Sequence, residues 1–138
     1  MMADKLTFVQ PEGFAPPKGY SNGVIARGPT LFVAGQVGWN AQCQFESDDL
    51  AEQFAQALDN VLAVVRAAGG GPESIAKMTV YVTDLDAYRS SLRPIGQAWR
   101  ARIGKHFPAM ALVGVAGLVE PRAKVEIEAV AVLEDRKA

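Results

Sequence analysis

The chain has 138 residues, of which 49% are hydrophobic, and its formal net charge is −1. That composition makes one globular domain, 1–138, with a core large enough to need no staples, and the near-neutral balance argues against nucleic acid or an anionic membrane as a partner. Cys43 is the single cysteine, so no intrachain disulfide can form, and its polar setting marks it as a bystander rather than a nucleophile.

The opening, Met1 to Lys5, has no apolar signal core. The longest charge- and proline-free run of the last third, Ala109 to Val119, is too short to cross a bilayer. Together they predict a soluble cytoplasmic protein. Leu6 to Val9 offers a short strand, and Pro11 to Lys18 is a proline-rich loop or arm. Ser21 to Ala26 and Thr30 to Gln36 read as strands, and Arg27-Gly28-Pro29 between them predicts a tight hairpin. Asn40 to Glu46 is a polar loop. A long helix follows. Asp49 caps it with Glu52 three residues on, and Leu50, Phe54, Leu58, Val61, Leu62 and Val65 form one apolar stripe. Gly69-Gly70-Gly71-Pro72 stops it.

Ala76 to Thr83 alternates as a strand, with Met78, Val80 and Val82 on one face. A second helix is predicted from Asp86 to Ile103, started or kinked by Pro94. Met110 to Val115 and Ala123 to Leu133 complete the strands. The last places Val125, Ile127, Ala129 and Ala131 on one face and Glu126, Glu128, Val130 and Val132 on the other. This order predicts an α+β fold, with two helices on one face of a mixed six-stranded sheet. Phe32, Val130 and Val132 leave the other face partly apolar. With no further element to cover it, a second copy of the chain is the expected cover.

Several chemistries are excluded. His106 is the only histidine, which argues against a zinc site or a Ser-His-Asp triad. Gly69-Gly70-Gly71 lacks the Lys-Ser/Thr of a phosphate loop and follows a helix instead of preceding one. Trp39 and Trp99 read as packing anchors. What remains is Ala34-Gly35-Gln36 at a strand end, Tyr20-Ser21-Asn22-Gly23 before a strand, and Phe107-Pro108-Ala109-Met110 leading into one.

Taken in order, the Tyr20…Gly23 entry, Phe32-Val33-Ala34-Gly35-Gln36, Ala67-Ala68-Gly69, Val80-Tyr81-Val82-Thr83-Asp84-Leu85, Phe107-Pro108-Ala109 and Val125-Glu126-Ile127-Glu128-Ala129 resemble the RidA/YjgF family. These are reactive-intermediate deaminases, also labelled L-PSP endoribonucleases or translation initiation inhibitors. The resemblance implies a chorismate-mutase-like fold and a homotrimer whose sheets form a central barrel, with small-molecule clefts between subunits. It implies hydrolysis of enamines or imines to a keto compound and ammonia, with no cofactor and no metal. Glu126 is then the catalytic residue that orients or activates water, and Tyr20, Gly35, Met110 and Ala111 line the substrate site.

One departure stands out. Active members follow Pro-Ala with an arginine that clamps the substrate carboxylate, and this chain has Met110. Losing such a clamp costs roughly 2–5 kcal/mol of recognition. Arg93, Arg100 and Arg122 are candidates to take its place. The readings left open are a divergent deaminase, a non-catalytic metabolite-binding trimer, and the ribonuclease or translation-inhibitor role, which the absence of a basic stripe disfavours.

Overall fold

The computed structural model describes residues 5–135; residues 1–4, on which the expectation of no apolar signal core partly falls, and residues 136–138 lie outside the described residues. In chain order the elements are β1 (Leu6–Val9), β2 (Gly23–Ala26), β3 (Thr30–Val37), α1 (Leu50–Ala67), a short 3₁₀ turn (Pro72–Ser74), β4 (Ile75–Val82), α2 (Leu85–Ser90), α3 (Leu92–Arg102), β5 (Ala109–Gly114) and β6 (Val125–Val132).

The main sheet has the order β3-β6-β4-β5. β6 runs antiparallel to both its neighbours, and β4 and β5 are parallel. The sheet is mixed, as expected, but it has four strands and not six. β1 and β2 form a separate two-stranded ladder, joined to the β5 edge by a single parallel bridge between Ser21 and Ala109.

The predicted hairpin between β2 and β3 is also corrected. Arg27 donates its backbone N–H to Lys5 at 2.9 Å, which carries β2 along β1, while Pro29 accepts from Leu133 at 2.9 Å, which starts β3 along β6. Gly28 (φ +133°) makes the crossing between the two ladders, and a Cβ there would sit 2.3 Å from the Leu133 carbonyl oxygen. Only glycine fits that approach.

α1 lays its predicted stripe on the sheet. Leu58, Val61 and Val65 are fully buried against Met78, Val80, Val82, Val125 and Ile127, which are also fully buried. Burying side chains of this size contributes about 1.5–3 kcal/mol each, before the cost of ordering the chain. The Asp49 carboxylate caps α1 by accepting from the Glu52 N–H at 3.0 Å. Gly69 (φ +92°) ends it, with Gly69 N–H bonded to Arg66 and Gly70 N–H to Val65, the paired bonds of a Schellman stop.

The expected helix from Asp86 to Ile103 is two helices, α2 and α3, broken at Ser91. Pro94 falls in the first turn of α3, where no backbone N–H is needed, so it starts the helix instead of kinking it. Ile95 and Trp99 bring α3 onto the same core as α1. All three helices therefore cover one face of the main sheet.

Buried Gln53 of α1 fixes where β6 begins. Its amide donates to the carbonyls of Ser47 (2.9 Å) and Arg122 (3.0 Å) and accepts from the Lys124 N–H (2.8 Å). This clip lies two residues before Glu126.

Candidate functional site

On the face away from the helices, the register sets three rows across the sheet. Val37, Glu126, Tyr81 and Val113 form the first. Glu128, Thr79 and Ala111 form the second, and Phe32, Val130, Lys77 and Ala109 the third. The period of two puts Glu126 and Glu128 here once Ile127 is committed to the core. The face is apolar at its margins: Phe32 is 77% exposed and Val113 42%.

Glu126 and Gly35 meet on this face. β3 bulges between Val33 and Gln36, which brings Gly35 under the Glu126 side chain. A Cβ on Gly35 would lie 2.8 Å from both Cδ and Oε1 of Glu126, so the carboxylate occupies the space that glycine leaves open. Among the described residues the Glu126 carboxylate has no hydrogen-bond donor and no cation paired to it. It is a half-buried acceptor free to hold a ligand or a water.

Glu128 is engaged differently. The Tyr81 hydroxyl donates to its Oε1 at 2.6 Å, diagonally across the strands. That bond, with the nearby negative charge, holds the Tyr81 phenol above its ordinary 10.0. This pair was not singled out from the sequence. Its signal was the shared period-two face of two strands, which becomes a contact only once their register is known.

Tyr20, Met110 and Ala111 lie at the other edge. Tyr20 is 41% exposed and precedes Ser21, whose N–H bonds to Pro108 at 3.0 Å and whose hydroxyl donates to the Phe107 carbonyl. The Tyr20 segment is thereby tied to the entry of β5. Ala111 shares the open face with Glu126 but stands two strands away. Met110 pairs with core-facing Met78 and packs against the helix-side core. It lies on the opposite face from Glu126, and strand spacing and rise put the two Cα atoms roughly 14 Å apart. One protomer thus brings Gly35 and Glu126 together and holds Tyr20, Met110 and Ala111 apart from them.

Met110 instead lines a groove of about 420 Å³ between α3 and β5, with Trp99, Phe107, Leu112, Tyr88 and Arg100 among its walls. Burial raises the Tyr88 phenol. The three arginines now separate. Arg122 is committed to Asp48 at 3.0 Å and to the Phe45 carbonyl, and lies over the Phe45 ring. Arg93 is exposed and is not among the groove residues, whereas Arg100 lines the groove with Met110. No helix is long and apolar enough to cross a membrane among the described residues.

The chain is similar to 2-iminobutanoate/2-iminopropanoate deaminase of Escherichia coli, at 37% identity over 105 residues, which are 76% of this chain and 80% of the relative. A Yersinia pestis structure described as the Rid protein family member YyfB superposes with a TM-score of 0.84 at 32% identity, covering 94% of this chain and 100% of that one. E. coli TdcF, solved with bound serine, gives a TM-score of 0.68 at 30% identity over 93% of this chain and 99% of that one. The family model described as Endoribonuclease L-PSP matches residues 11–133. The open-face strand with Glu126, the Gly35 bulge beneath it and the helix-backed sheet thus sit in a chain that belongs to that family, the RidA/YjgF proteins.

Proposed function

We propose that this protein hydrolyses enamine or imine intermediates to a keto compound and ammonia, in a cleft built by two copies of the chain. The observation that carries this is the Glu126 carboxylate, seated over Gly35 with its acceptor oxygens unclaimed. Glu126 takes a proton from a water as that water's oxygen bonds to the imine carbon. The C=N electron pair moves to nitrogen, which takes that proton from Glu126. Glu126 then accepts the hydroxyl proton of the resulting carbinolamine as C=O forms and delivers it to the departing nitrogen as the C–N bond breaks and ammonia leaves, which restores the carboxylate. The E. coli relative named for deaminating 2-iminobutanoate and 2-iminopropanoate supports the reaction class.

The placement of the remaining candidates supports the second copy. Gly35 and Glu126 lie towards the β3 side of the sheet, Tyr20 and Ala111 at the β5 edge, and the apolar margins of the open face require cover. Three copies with their open faces turned inward cover those margins and set the β5 edge of one beside the Gly35–Glu126 half-site of the next.

Replacing Glu126 by Gln is the direct test. Ammonia release from freshly generated 2-aminoacrylate and from larger imines should fall about 10²-fold or more, with the melting temperature unchanged. An equally active Glu126→Gln protein would overturn the assignment.

A further inference from the structure

We infer that Asn60, with Gln53 as its counterpart, is a positioning residue for Glu126: two side-chain amides of α1 hold the strand ends whose alignment sets the Gly35–Glu126 seat. The inference rests on the deaminase reading and adds to it residues outside the site that fix its geometry. The seat lies where the β3–β6 ladder is weakest. Val33 pairs with Ala129 and Gln36 with Ile127, so Ala34 and Gly35 stand opposite Glu128 alone. Beyond that bulge two pairs remain, Gln36 with Ile127 and Val37 with Glu126. A bulge interrupts the ladder, and a short end beyond it frays readily. β6 has a second neighbour at this point, because Tyr81 and Val82 of β4 pair with Glu126 and Val125. β3 is at the edge of the sheet, so within one protomer its end is held by no strand but β6.

α1 supplies what the ladder lacks. The Asn60 amide nitrogen donates to the Val37 carbonyl at 3.0 Å and to the Trp39 carbonyl at 2.8 Å. Val37 is the residue paired with Glu126. Gln56, one turn back, donates to Asn60 Oδ1 at 3.0 Å and fixes which way the amide faces. Between the two held carbonyls, Gly38 lies directly against the helix backbone, where an added Cβ would sit 2.6 Å from the Gln53 carbonyl oxygen. Gln53 is two turns from Asn60 and so shares its face of α1. It grips β6 through the Arg122 carbonyl at 3.0 Å and the Lys124 N–H at 2.8 Å. One helix thereby holds the end of β3 and the start of β6 on either side of the seat. In each amide both N–H groups and the oxygen are engaged. A carboxylate of the same shape has no donor to offer the carbonyls.

Asn60→Ala and the isosteric Asn60→Asp both remove the two donors to β3. Val65→Ala, fully buried near the far end of α1, touches neither amide and is the control for a loss of packing alone. Each protein is read by thermal melt, by amide hydrogen exchange and by steady-state ammonia release from freshly generated 2-aminoacrylate. In the Asn60 variants exchange should quicken about 10-fold at residues 36–39 and 124–126, as the loss of two hydrogen bonds predicts, and stay unchanged at Met78 and Val80. Their kcat should fall about 10-fold with KM unchanged, because the carboxylate is misplaced while the rest of the cleft is not. Val65→Ala should lower the melting temperature and leave kcat unchanged. Undiminished kcat in the Asn60 variants, quickened exchange spread evenly over the sheet, or an equal loss of kcat in Val65→Ala would overturn the positioning role. Should the Asn60 variants not fold, Gln56→Ala, which frees the amide but keeps its donors, should show the same pattern more weakly; a Gln56→Ala protein identical to wild type would overturn the inference. Localised exchange in a protein that hydrolyses no imine would refute the deaminase reading and leave the clamp standing.

Discussion

Gly35→Ala separates the catalytic reading from a merely structural one. The new methyl would lie 2.8 Å from Cδ and Oε1 of Glu126 and 3.1 Å from Cγ. Carbon–carbon contacts settle at about 3.5–4.0 Å, so the carboxylate must retreat by roughly 1 Å. The obstacle is the far end of a flexible side chain, and Gly35 is not among the glycines with positive φ, so the backbone carries no strain. Pushing the side chain off its rotamer costs about 0.5–1.5 kcal/mol, and the stiffer unfolded chain of an alanine variant returns about 0.4–1 kcal/mol. The expected net change in stability is therefore below about 1 kcal/mol, a shift of a few degrees in melting temperature at this length. Displacing a working carboxylate by 1 Å costs on the order of 10²-fold in rate. Ammonia release and a thermal melt on the same preparation read both quantities. Full activity at an unchanged melting temperature would refute the claim that the carboxylate works from its seat over Gly35. A collapse in stability would refute the claim that only a flexible tip stands in the way.

Two further predictions concern the open face. Phe32→Glu should yield lone protomers by size-exclusion chromatography with light scattering, with hydrolysis lost, because burying Phe32 contributes about 2 kcal/mol per copy on assembly and a carboxylate there is costly to bury; an intact oligomer would refute the inward-facing arrangement. Ultraviolet titration should place Tyr81 above 10.0, since its hydroxyl bond to Glu128 favours the protonated phenol, and Glu128→Gln should bring it back down. Because the folded-state value is raised, this bond stabilises the fold below pH 10, and its contribution is lost as pH rises through the folded Tyr81 value; alkaline melts that are identical for wild type and Glu128→Gln would refute that linkage.

Local patterns determined a large part of this molecule. The α1 stripe, its Asp49 cap and its glycine stop follow from helical periodicity and from backbone groups that need partners at helix ends. The faces of β4 and β6 follow from a period of two with one polar set, which also placed Glu126 and Glu128 together on the side away from the core. Tertiary structure decided what periodicity leaves open. Arg27-Gly28-Pro29 reads in sequence as a hairpin turn, and only the approach of Leu133 to Gly28 makes it a crossover between ladders. β5 is apolar on both faces, so its alternation could not tell whether Met110 shares the side of Glu126; pairing with Met78 put it on the helix side. Arg122 and Arg100 look alike in sequence, yet Asp48 engages one and an apolar groove receives the other. The physical reason is common to all three: a side chain's own period fixes its direction relative to its strand or helix, whereas its neighbours come from segments distant in the chain, and their register is chosen by the packing of the whole core.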